Sequence, residues 1–111
     1  MSQPIKINIK PLSVNDAWRG RRFKTPEYAK YERIVLLMLP KKTFETKPLK
    51  VSLIFGFSSN ASDLDNPAKL VLDIFQKKYG INDKAIWELN IKKEIVKKGQ
   101  EFFKFSIDYI E

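Results

Sequence analysis

The sequence predicts an α+β domain, one small mixed β-sheet with two helices, in the order β-α-β-α-β-β. Three observations predict it. Apolar and polar residues alternate over 5–9, 49–57 and 101–110, the period of a strand with one buried face. Over 27–39, and between Pro67 and Gly80, apolar residues recur at steps of three and four, the period of a helix. Proline or glycine stands at the joins, at Pro11, Pro26, Pro40, Gly80 and Gly99. The 111 residues, 43% of them hydrophobic, suffice for one compact domain and not for two, so 1–111 reads as a single unit.

The first strand, 5–9, turns Ile5, Ile7 and Ile9 inward, and Pro11 ends it. Residues 12–26 have no period and contain the densest run of positive charge. A loop of this kind can follow a phosphate backbone, with Asn15, Arg19, Arg21, Arg22 and Lys24 as candidate nucleic-acid contacts. Trp18 reads as a core residue ahead of a base-stacking one. In helix 27–39, Thr25 is the expected N-cap and Tyr28, Tyr31, Ile34, Val35 and Met38 form the apolar stripe; Pro40 stops it. A polar connection, 41–48, leads to strand 49–57, with Val51, Leu53, Phe55 and Phe57 on one face and Ile54 on the other. The second helix is expected to take Asp65 or Asn66 as N-cap and Pro67 as its first residue, to bury Leu70, Val71, Ile74 and Phe75, and to end before Gly80. Strand 85–96 should set Trp87, Leu89 and Ile91 on one face. The turn 97–100 joins it to strand 101–110, where Phe103, Phe105, Ile107 and Tyr109 alternate with polar residues, and these two strands are expected to pair as an antiparallel hairpin. Both helices should cover one face of the sheet.

Between the second strand and the second helix the chain reads Asp63-Leu64-Asp65-Asn66-Pro67-Ala68-Lys69. Two carboxylates one residue apart on extended chain point the same way, and Asp83 follows just past the helix. Like charges at close range oppose one another's ionisation, and a cation among them relieves this. Asp63, Asp65 and Asp83 are therefore candidate ligands for a hard divalent ion, Mg2+ or Mn2+, able to polarise a phosphate and activate water. Lys69, four residues after Asp65, could meet the charge that builds up in the transition state. On the motif alone, an ordinary capped turn fits the Asp run, and Lys69 with Asp73 has the spacing of a surface ion pair. A calcium loop of the EF-hand type is excluded, since its sixth and twelfth positions would be Ala68 and Ile74 in place of Gly and Glu.

The absence of Cys and His rules out disulfides, thiol nucleophiles, zinc centres built on those ligands and imidazole bases. Glycines at 20, 56, 80 and 99 fit neither a phosphate-cradling loop nor a dinucleotide fingerprint. The net charge of +8 is unevenly spread: 1–50 hold 12 Lys and Arg against 4 acids, 51–83 hold 3 against 4, and 84–111 hold 6 against 5. The excess lies in the first half and the candidate site is slightly acidic, the pattern of a chain that grips a polyanion with one part and cuts it with another. No apolar run approaches the roughly 20 residues of a membrane span, and the N-terminus lacks signal-peptide features. A soluble, cytoplasmic protein without a membrane partner is expected.

Three motifs taken together carry a resemblance. Pro11-Leu12-Ser13-Val14-Asn15 with Trp18-Arg19, Asp63-Leu64-Asp65-Asn66 followed by Lys69 and Asp73, and Gly80-Ile81-Asn82-Asp83 resemble, in order over most of the chain, the RusA family of Holliday junction resolvases. The resemblance implies a RusA-like fold and a magnesium-dependent endodeoxyribonuclease, with Mn2+ able to substitute. It further implies a phage-type homodimer that resolves branched DNA, the four-way junction, by paired symmetric nicks in recombination and repair. By the same resemblance Asp63, Asp65 and Asp83 would bind the metal and activate water, and Lys69 would be the essential lysine near the phosphate; Asp73 matches a position without a defined role. Ser59-Asn60-Ala61-Ser62 stands where family members carry a basic cluster, a departure that bears on cleavage-site preference and not on the metal chemistry. Two other readings of the residues stay open: a non-catalytic nucleic-acid binding module, and a metal nuclease acting on flaps or duplex DNA.

Overall fold

Strand β4 (Leu49–Phe57) is the centre of the sheet, paired on both edges and carrying its most apolar face. Leu49, Val51, Leu53 and Phe55 are all at most 1% exposed, which settles β4 as the strand the others must cover. The computed structural model describes residues 3–12, 18–19, 23–60 and 65–110. Around β4 the strand order is β1 (Ile5–Ile7), β6 (Phe102–Tyr109), β4, β5 (Ile86–Ile95). The β4–β5 pair is parallel, and β6 runs antiparallel to both β4 and β1, so the sheet is mixed. Helices α1 (Pro26–Met38) and α2 (Asp65–Tyr79) cover the odd-numbered face of β4. There Phe55, Phe75, Phe103 and Phe105 pack together, Phe75 and Phe105 with ring centroids 4.8 Å apart. Each such ring stabilises the fold by about 1.5–3 kcal/mol relative to exposure.

The helix ends follow their local chemistry. Thr25 Oγ1 accepts the Tyr28 backbone N–H at 3.2 Å, the N-cap of α1, and Leu39 closes it one residue before Pro40. Gly80, at φ 66°, lets the chain leave α2 in a conformation that costs other residues energy. α2 begins at Asp65, so Asp65 and Asn66 are its first two residues instead of its cap, and Pro67 falls third, still in the turn whose N–H groups have no helical acceptor.

Three expectations are corrected. The first strand ends at Ile7, because the Ile9 N–H turns back onto the Ile7 carbonyl at 3.0 Å, although Ile9 still packs against the core. Inside the expected loop, β2 (Trp18–Arg19) and β3 (Phe23–Lys24) pair as a short antiparallel ladder. The last two strands are not a hairpin: β5 and β6 lie on opposite sides of β4. Helix α2 is the crossover that a parallel partner of β4 requires, and the chain then passes the end of β4, where the Val96 N–H bonds the Phe57 carbonyl at 2.8 Å, to lay β6 on the other side. As an edge strand with a register shift opposite Leu49/Lys50, β5 leaves Trp87 71% and Leu89 40% exposed, while Ile91 packs against the core.

Candidate active site

The two helices lie side by side in the same direction, and a ladder of polar contacts fixes this. Near the start of α1, Tyr28 is buried beside Glu32 and Asp73. Loss of water, then those two carboxylates, push its hydroxyl far above the ordinary tyrosine range. One turn on, Lys77 Nζ donates to both oxygens of Glu32 at 3.0 Å. Further along, Lys78 Nζ donates to the Leu36 carbonyl at 3.1 Å, and the Tyr79 hydroxyl donates to the Pro40 carbonyl at 2.8 Å. Positions advance together along both helices, so their N-termini share one end of the molecule. Nothing in the sequence singles out Glu32 or Lys77; their charges and separation of 45 residues fit countless surface pairs.

This shared end gathers much of the candidate chemistry. The backbone of Asp65 opens α2 there, and Lys69, exposed, follows one turn later. The positive ends of two helix dipoles lie there, which favours an anionic ligand. Lys24 ends β3 one residue before the Thr25 cap, so the β2–β3 ladder, which includes the backbone positions of Arg19 and Lys24, enters the same end. Asn15, Arg21, Arg22 and Asp63 lie outside the described residues. Asp73, exposed, faces Tyr28 across the helix pair, which gives it a place in the packing of α2 on α1.

Asp83 stands elsewhere. It opens a 3-10 turn (Asp83–Ala85) capped by Asn82, whose Oδ1 accepts the Lys84 N–H at 3.0 Å. Its neighbours Asn82 and Ala85 line a small cavity with Leu49, Phe44, Tyr79 and Ile81, at the C-terminal end of α2. The 15 residues of α2 extend for about 21 Å, so within one chain Asp65 and Asp83 stand at opposite ends of that helix. Among the described residues no three acids gather as a metal site. The Asp83 side chain is exposed and makes no ion pair among the described residues, which leaves its oxygens available as hard donors.

Among curated proteins none matches the chain. Against family profiles, the one described as Endodeoxyribonuclease RusA matches residues 9–101, a span that takes in the basic ladder, both helices, Lys69 and the whole stretch from Asp63 to Asp83. With that span matched and the fold in agreement, the chain belongs to the RusA family of endodeoxyribonucleases.

Proposed function

We propose that the protein is a magnesium-dependent, structure-specific endonuclease that resolves four-way DNA junctions by paired symmetric nicks, acting as a cytoplasmic homodimer. The observation that carries this reading is the shared end of the two helices. In a chain of this family, α2 opens at that end with Asp65, Lys69 follows one turn later, and β3 leads there into the start of α1, which supports the reading. In this reading Asp63, Asp65 and Asp83 hold the divalent ion; their carboxylate chemistry fits Mg2+, with Mn2+ as a substitute. When bound, the ion supplies polarisation of the scissile phosphate and an ionised water. Lys69 meets the phosphate oxygens as charge builds on them, the helix N-termini orient the phosphate, and Asn15, Arg19, Arg21, Arg22 and Lys24 hold the flanking backbone.

The separation of Asp65 from Asp83 supports a site completed between two copies. The outer edge of β5 has no strand partner among the described residues and carries Trp87, Leu89 and Ile95, the last 57% exposed. An edge strand without a partner leaves a row of backbone N–H and C=O groups open to pairing with another strand. Antiparallel pairing of β5 with its copy about a two-fold axis sets the start of one β5, next to Asp83, against the end of the other. That end lies beside Phe57, from which the partner chain proceeds to its own Asp65. Two such sites per dimer match the two cuts that a symmetric junction needs.

The test is cleavage of a synthetic four-way junction, a flap and a linear duplex of equal length, with and without Mg2+. The junction is expected to be cut fastest, only with the metal, and not by Asp65→Asn, which keeps its junction binding. Cutting by that variant at the native rate, or equal rates on all three substrates, defeats the reading.

A further inference from the structure

We propose that the sheet face turned away from the helices is a second nucleic-acid contact, where Lys6, Lys104 and Lys92 hold the phosphate backbone of a DNA arm beyond the cleavage end. The inference rests on the DNA-cutting reading above and extends it to a surface with no part in the chemistry. Register puts these residues in one row across all four strands: Lys6 opposite Lys104, Lys104 opposite Ile54, Ile54 opposite Lys92. With strands about 4.8 Å apart, three ammonium groups span roughly 14 Å with no acid in the row. Like charges set directly opposite one another oppose strand pairing.

The rest of the face shows that the pattern is particular to this row. Two positions along, the row Asp108, Lys50, Glu88 is matched, with Lys50 Nζ 3.1 Å from Glu88. Between the two lies the uncharged row Ser106, Ser52, Asn90, rich in hydrogen-bonding groups. Beyond the lysines comes Phe102, opposite Gly56, and then Glu94 at the edge. Lys6, Lys92 and Lys104 make no ion pair among the described residues.

Phe102 makes the row a built feature. Its ring packs against Gly56, where an added Cβ would come within 2.4 Å of it, and it is only 4% exposed. The ammonium groups of Lys6 and Lys104 stand 4.6 and 5.3 Å from its centroid, so the ring attracts both. A protein partner would call for an apolar, aromatic patch poor in lysine. This face offers unpaired cations, among the described residues, beside hydroxyl and amide groups, which suit phosphate oxygens. The row crosses β4 three residues before its end, on the side of the molecule where the chain goes on to Asp65.

The experiment compares single substitutions on one strand face, measuring junction and duplex binding over a range of salt with chelator present, so that binding is read apart from cleavage. Lys92→Gln is expected to lower the slope of log Kd against log salt by roughly 1, and Lys92→Gln with Lys104→Gln by roughly 2 with about tenfold weaker binding. Lys50→Gln, whose charge is already matched, is expected to leave the slope unchanged. Lys92→Gln is exposed and keeps the native melting temperature, so it decides the matter even if the double variant unfolds. Equal slopes for Lys92→Gln and Lys50→Gln overturn the proposal. So does a change of oligomeric state in Lys92→Gln, which would assign the face to contacts between copies, and so does a native protein that binds no DNA. If the native protein binds but never cuts, and Lys92→Gln still lowers the slope, the proposal stands and the nuclease reading falls.

Discussion

At the scale of single residues, the surroundings of each side chain set its chemistry. Lys69 projects from the second turn of α2, exposed, at the end where Asp65 lies. Lys69→Ala is therefore expected to reduce single-turnover cleavage by roughly 100-fold or more, the usual cost of losing one group aimed at developing charge, while junction affinity changes only a few-fold. Tyr28, Tyr31 and Tyr79 give a second expectation. Burial raises all three hydroxyl pKa values, that of Tyr79 to about 12, and at Tyr28 the Glu32 and Asp73 carboxylates add to the effect. In the unfolded chain these groups ionise near the ordinary value of about 10. Below that pH both states hold the proton and the stabilisation is fully present; above it only the unfolded state loses the proton, so stability falls as pH rises through the folded values. The urea midpoint should drop between about pH 10 and 11.5, and less steeply in Tyr28→Phe. The candidate residues could be read from the sequence because Asp63, Asp65, Lys69 and Asp83 stand at fixed spacings around a proline and a glycine that punctuate one helix. The part played by Glu32 and Lys77 could not, since a contact between two helices has no signature in either.

At the scale of elements, β5 is where local pattern and observed structure part. Its alternation suits a hairpin with β6 and a parallel edge strand equally well, because period 2 fixes which residues share a face and not which strand lies alongside. The choice belongs to β4: its apolar face needs cover on both sides, and α2 provides the crossover for a parallel neighbour. Leu89 then lies half exposed opposite Val51, on the outer edge that the proposed dimer would use. Leu89→Lys is expected to leave the melting temperature within a few degrees of native, to sediment as a monomer, and to lose junction cleavage. A dimer of undiminished stability in that variant would place the interface elsewhere.

At the scale of the whole molecule, the question is how groups at the two ends of α2 can serve one site. Mixing two inactive variants answers it. If each site takes Asp65 from one copy and Asp83 from the other, a heterodimer of Asp65→Asn and Asp83→Asn chains contains one site with both carboxylates intact. The mixture is expected to nick the junction on one strand, at up to about a quarter of the native nicking rate, since random exchange makes half of the dimers mixed and each of these holds one intact site of two. If each site lies within one chain, the mixture is as inactive as its components. By itself the sequence determined what is local: the punctuation of the elements, the strand and helix periods, the excess of cations in the first half, and the motifs that mark the family. Only the tertiary structure decided which strands are neighbours, that both helices point the same way, and that Lys6, Lys104 and Lys92 fall in one row. The reason is physical: hydrogen-bond periods and caps act within a few residues, whereas neighbours in a sheet are chosen by the burial of a shared apolar face, to which residues far apart in the chain contribute together.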